Sequence, residues 1–190
     1  SVDVLLINTC GFIGDAKEES VQAILEAVER KNRGEIGRII VFGCLSQRYG
    51  GELPELIPEV DEWYGAREFL PVIKALGGNA ASEVITSRHL TTPSHYAYLK
   101  ISEGCDRRCS YCAIPFIRGA HKSVPIETLV KEAQALAEKG VKELIIIAQD
   151  TTWYGLDLYR RRALAELLQK LSEIDGIEWI RIHYSYPAAF

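Results

Sequence analysis

Tyr96–Gly119 reads YAYLKISEGCDRRCSYCAIPFIRG. Near its start, Ala97–Ser102 predicts a strand. Directly after it, Cys105, Cys109 and Cys112 follow one another in a C-x3-C-x2-C pattern. A predicted helix over Ile126–Lys139 comes next, with Pro125 at a favourable starting position and Gly140 closing it. Strand, loop, helix is the unit of a parallel α/β sheet, and in such sheets chemistry gathers on loops that leave strand C-termini.

Working outward, the alternation continues on both sides. Glu143–Ala148 predicts a strand, Gln149–Arg160 a loop, Ala163–Ile174 a helix and Glu178–Tyr184 a strand. Three strands are too few to close a barrel, so this half reads as part of one. On the amino-terminal side, Val2–Asn8 (VDVLLIN) and Arg38–Phe42 (RIIVF) predict two buried strands. Between them a helical pattern runs from Asp15 to Lys31, with Val21, Ile24, Leu25 and Val28 on one stripe and Asp15 with Glu18 as a capping box. Glu52–Ile57 and Arg67–Leu76 predict short helices. The polar segment 79–94 reads as a linker with a possible strand at Val84–Thr86. The expected fold class is α/β: a small doubly wound amino-terminal domain over residues 1–78, a linker over 79–94, and part of a β/α (TIM-like) barrel over 95–190.

The 190 residues are 47% hydrophobic and 25% charged, an ordinary globular composition. No apolar run approaches the roughly 18 residues that would span a bilayer, so a cytoplasmic protein without membrane attachment is expected. The formal net charge of −4 weighs against nucleic acid as a partner. The chain begins at Ser1, one residue before a predicted strand, and has no methionine, which reads as a piece of a longer protein.

Five cysteines, three of them within eight residues, point to metal or catalysis rather than disulfides. Structural zinc wants four closed ligands, so three thiolates suit it poorly, although His121 as a fourth leaves a zinc knuckle open. A cubane iron–sulfur cluster with one iron left for a ligand suits them well. Cys10 and Cys44 each follow a predicted parallel strand, and two loops leaving the same sheet edge converge. Arg107 and Arg108, inside the cysteine loop, read either as counter-charge to a cluster or as a solvated pair. Gln149 and Asp150 end a barrel strand and are assigned to the cofactor or substrate pocket, with turn formation through Asp150-Thr151-Thr152 as the plainer reading. His89, His95, His121 and His183 are taken as structural or surface residues.

C-x3-C-x-aromatic-C, here Cys105, Cys109, Tyr111 and Cys112, resembles the signature of the radical S-adenosylmethionine superfamily. The resemblance implies that the three cysteines ligate a 4Fe–4S cluster whose fourth iron is chelated by S-adenosylmethionine, with Tyr111 near the adenine. Tyr96–Gly119, INTCGFI with AKEES (Ile7–Ser20) and GCLSQRY (Gly43–Tyr49) resemble the methylthiotransferases of that superfamily. This implies a second 4Fe–4S cluster on Cys10, Cys44 and a third cysteine that lies upstream of this chain. AQDTTWYG (Ala148–Gly155) and WIRIHYSYP (Trp179–Pro187) look most like the branch that methylthiolates the β-carbon of an aspartate in the twelfth small-subunit ribosomal protein. The alternative is the transfer-RNA branch. Implied partners are the ribosomal protein and an electron donor, with no DNA; a monomer is expected.

Overall fold

The computed structural model describes residues 1–78 and 89–187. The possible strand at Val84–Thr86 and most of the expected linker lie outside them. The chain divides into two compact units, Ser1–Ala80 with Cys109–Arg118 and Ala81–Arg108 with Gly119–Phe190.

In the first unit, β1 (Val2–Thr9), β2 (Ile36–Gly43) and β3 (Glu62–Gly65) form a parallel sheet in that order. Its helices are α1 (Gly14–Asn32), α2 (Cys44–Tyr49), α3 (Leu53–Leu56) and α4 (Phe69–Ala75). Central strand β2 is buried as its apolar run predicts, with Ile39, Ile40 and Val41 fully enclosed. β1 differs from expectation. It pairs only with β2, and Val2 and Leu6 are exposed. An edge strand covered on one side alternates, however apolar its sequence.

Helix α1 lays Ile24, Ala27 and Val28 against Ile36, Ile39 and Val41, whereas Leu25, expected on the same stripe, is exposed. The expected capping box does not form. The N-cap is Ile13 and makes no side-chain hydrogen bond, so Asp15 sits inside the first turn, where its charge meets the helix dipole instead.

In the second unit, β4 (Tyr96–Lys100), β7 (Glu143–Ile147) and β8 (Trp179–Ile182) form a parallel sheet in the order β4-β7-β8. Short antiparallel strands β5 (Ser102–Glu103) and β6 (Lys122–Ser123) clamp the two ends of the cysteine segment. Between them in sequence lies α5 (Ile114–Arg118), which groups with the first unit. The remaining helices are α6 (Ile126–Glu138), α7 (Leu156–Tyr159) and α8 (Leu164–Ser172). α6 and α8 cover the sheet through Leu129, Ala133, Leu136, Leu167 and Leu171, against Leu99, Leu144 and Ile146 of the strands. Among the described residues, no helix is long and apolar enough to cross a membrane.

Candidate active site

The cysteine loop begins where β5 ends. Gly104 takes a left-handed conformation (φ 78°) that turns the chain out of the strand, and Cys105 follows. The Cys105 N–H donates to the Gly119 carbonyl (3.0 Å), which fixes the start of the loop to its far end. Asp106 accepts from the His121 N–H (3.0 Å). Arg107 donates to Asp150 and reaches the Thr152 hydroxyl (3.5 Å). Cys105 thus belongs to the second unit, anchored on both sides.

Cys109, Tyr111 and Cys112 group with the first unit. The Cys112 N–H donates to the Cys109 carbonyl (3.0 Å), a tight turn that keeps these two thiols on one bend. None of the three loop cysteines is in a disulfide; Cys109 is exposed and Cys105 and Cys112 are half-buried. Tyr111 is 90% exposed, and Phe116 on α5 nearly as much. These two large exposed rings flank Cys112 in the sequence. Among the described residues, no set of three or more Cys, His, Asp or Glu side chains is drawn together at metal-holding geometry. The donor set nevertheless fits a cluster chemically: three cysteine thiols outside any disulfide on one eight-residue span, each open to solvent to some degree.

Within the first unit, Cys10 and Cys44 come from neighbouring loops. Thr9 is the register partner of Gly43, so each cysteine is the first residue beyond a paired position on adjacent parallel strands. The backbones then meet: a Cβ added to Gly11 would lie 2.7 Å from the Cys44 carbonyl oxygen and 2.8 Å from the Leu45 Cα. Gly43 itself sits at φ 119°, where a side chain would meet the Thr9 carbonyl. The Ser20 hydroxyl accepts from the Cys10 N–H (3.0 Å) and donates to the Ala16 carbonyl (2.8 Å), tying the first cysteine to α1. Arg118, at the end of α5, donates to the Cys44 sulfur (3.0 Å). Nothing in the pattern of residues around Arg118 singles it out.

Gln149 and Asp150 stand just beyond β7. Gln149 Nε2 donates to Glu103 (2.7 Å), leaving its Oε1 buried without a partner. Asp150 is 4% exposed, and both of its oxygens are used: one by Arg107, the other by the Thr152 N–H (3.0 Å) and hydroxyl. It therefore also caps the short 3₁₀ turn Thr151–Trp153, as the turn reading of this segment holds. Arg107 is paired rather than solvated, while Arg108 is exposed.

The His121 ring is buried. Its Nε2 shares a hydrogen bond with Ser123 (3.1 Å) beside Asp157, and its edge packs on Trp153. Burial works against the charged form of Asp157, but hydrogen bonds from the Ser123 hydroxyl and N–H (2.6 and 2.8 Å) outweigh it and hold the carboxyl below its usual range.

Residues 1–65 match the family described as uncharacterized protein family UPF0004, and residues 99–189 match the radical SAM superfamily. Over 188 residues the chain is 57% identical to ribosomal protein uS12 methylthiotransferase RimO of Flavobacterium johnsoniae, covering 99% of this chain and 43% of that protein. The RimO of Porphyromonas gingivalis is 56% identical and that of Bacteroides thetaiotaomicron 54%, over the same shares of each chain. The chain belongs to the radical S-adenosylmethionine methylthiotransferase family, RimO branch. It spans less than half the length of the RimO proteins it matches. Among solved structures, a radical S-adenosylmethionine methyltransferase, TsrM from Kitasatospora setae, aligns with a TM-score of 0.55 at 13% identity, over 82% of this chain and 39% of its own. The cobalamin-dependent S-adenosylmethionine radical enzyme OxsB gives 0.54 at 16%, over 90% and 28%. At such identities the likeness is one of fold.

Proposed function

We propose that this chain carries the catalytic core of a methylthiotransferase acting on an aspartate β-carbon of ribosomal protein uS12, in the cytoplasm. The observation that carries the reading is the C-x3-C-x-Tyr-C loop leaving the end of a parallel strand, in a chain 57% identical to RimO over nearly its whole length. In this reading Cys105, Cys109 and Cys112 hold a 4Fe–4S cluster, and residues 95–190 form the radical domain. Bound there, the cluster with S-adenosylmethionine supplies one-electron cleavage of a sulfonium bond and, from it, hydrogen abstraction.

The chain's own residues supply placement. Three thiolates leave one cluster position open for the cofactor. The bare face of Tyr111 is offered to the adenine. Gln149, just beyond β7, keeps a buried Oε1 without a hydrogen-bond partner, an acceptor that a donor group of the cofactor would satisfy. Cys10 and Cys44, brought together by the Gly11 contact, provide two ligands of a second cluster in the domain of residues 1–78. The sheet-edge loops of that domain are the sulfur-handling side. The acidic chain, without a basic stripe, favours a protein substrate over transfer RNA.

The test is S-adenosylmethionine cleavage by the anaerobically reconstituted, dithionite-reduced protein beside Cys109→Ala. Deoxyadenosine is expected from the first, and less than about a hundredth as much from the variant, since two thiolates do not hold the cluster. A colourless protein retaining zinc would overturn the reading. Cleavage-inactive protein with an intact cluster would reduce it to an electron carrier.

A further inference from the structure

Arg107 lies two residues from Cys105 and two from Cys109, yet its side chain turns away from solvent, with 23% of it exposed. Its guanidinium is held from three directions. Nε donates to Asp150, Nη2 points at Thr152 Oγ1, and the plane lies over the Tyr186 ring at 3.8 Å from the centroid, with Trp153 at 5.4 Å. Asp150 is more deeply enclosed than Arg107 and is itself braced by Thr152. A carboxylate that buried needs a fixed cation, and a planar fork that both pairs and stacks is a rigid one. Residues 105, 106 and 107 are therefore each fastened to a different part of the second unit: Gly119, His121 and Asp150.

We propose that Arg107 and Asp150 form a clasp that presets Cys105 for cluster capture, with Arg107 acting as a positioning residue. The clasp rests on the assignment of Cys105, Cys109 and Cys112 as cluster ligands and adds to it which residues make the first ligand rigid before iron arrives. Because Asp150 neutralises Arg107 within the pair, the clasp works by geometry and not as counter-charge to the cluster. Asp150 belongs to the cofactor pocket through Arg107, whose place in the loop it fixes.

The experiment has two arms on the full chain. In the metal-free arm, iodoacetamide labelling of each cysteine is followed by mass spectrometry. Arg107→Ala is expected to speed alkylation of Cys105 at least fivefold, with Cys10 within twofold of its original rate. A general loosening of the fold would raise both. In the loaded arm, iron and sulfide are titrated anaerobically, and the reduced cluster is followed by electron paramagnetic resonance with and without S-adenosylmethionine. Arg107→Ala is expected to need at least threefold more iron for half loading, and to show a weakened cofactor-induced spectral change. Arg107→Lys keeps the charge but loses the fork and the stacking, so it is expected to behave like Arg107→Ala; full rescue by lysine would overturn the clasp in favour of counter-charge. Unchanged Cys105 labelling in Arg107→Ala would also overturn it. Should Arg107→Ala not fold, Asp150→Asn, which keeps the shape and removes the charge, decides by the same Cys105-to-Cys10 labelling ratio. Unmodified protein that takes zinc and no cluster would sink the cluster assignment, while the labelling arm still decides the clasp.

Discussion

Gly11 holds the point of closest approach between the loops of Cys10 and Cys44. Replacing it with alanine puts a methyl group 2.7 Å from the Cys44 carbonyl oxygen and 2.8 Å from the Leu45 Cα. Backbone cannot yield as a flexible side chain does, so the two loops must part. Gly11→Ala is expected to cost about 1–3 kcal/mol, the usual range for overpacking, read as a lowered urea midpoint of the first unit. A midpoint unchanged within error would mean that the loops separate freely, and would remove the main geometric support for Cys10 and Cys44 as joint ligands. The sequence showed a Cys-Gly and a Gly-Cys pair after two strands, and from parallel topology alone their convergence could be expected. The backbone contact that makes it concrete could not, because it depends on the register Thr9 with Gly43. Arg107 illustrates the opposite case. Its neighbours in sequence are cysteines, but its partners Asp150 and Tyr186 lie 43 and 79 positions away, where no local pattern reaches.

At the level of elements, legibility followed the apolar pattern. α1, α6, β2 and β7 were all foreseeable from periodicity, because each presents at least one full repeat of an apolar face. α2, α5, α7, β3, β5 and β6 run from two to six residues and were missed, since none of these segments carries an apolar repeat of its own. Yet three of these six frame the cysteines: β5 and β6 clamp the loop ends, and α2 begins at Cys44 itself. The long elements supply the stability that lets the short ones hold position. Leu144 of β7 is fully enclosed in the second core beneath α6 and α8. Leu144→Ala is expected to destabilise the second unit by about 2–5 kcal/mol, through lost burial and the cavity left behind. Calorimetry checks this. A loss below about 1 kcal/mol would show that the sheet collapses to fill the space.

Taken as a whole, the chain holds two hydrophobic cores, and each unit carries a carboxylate outside its core whose proton affinity is tied to the fold. In the first, burial works against ionised Asp61, but hydrogen bonds from Lys31 (2.6 Å) and the Ile39 N–H (2.7 Å), with the Lys31 charge, outweigh it and hold the carboxyl below its usual range. In the second, Asp157 is held low by Ser123. In the unfolded chain both carboxyls take up a proton near pH 4, whereas in the folded chain they resist until the pH is lower still. The unfolded state therefore binds more protons in that window, and stability rises with pH across it. Both contributions are fully present above about pH 4 and are lost as the pH falls through the lowered folded values. Thermal unfolding of the metal-free protein is expected to show flat melting temperatures from pH 7 to about 5 as far as these two groups are concerned, then a decline toward pH 3. Asp61→Asn is expected to lower stability at pH 7 by up to about 1 kcal/mol, as for a solvent-screened ion pair, and to flatten the acid decline of the first unit alone. Asp157→Asn is expected to do the same for the second. An acid decline of equal steepness in Asp61→Asn would show that other carboxylates set the first unit's acid limit. If a single variant flattened the decline of both units, the two cores would not be titrating as independent bodies.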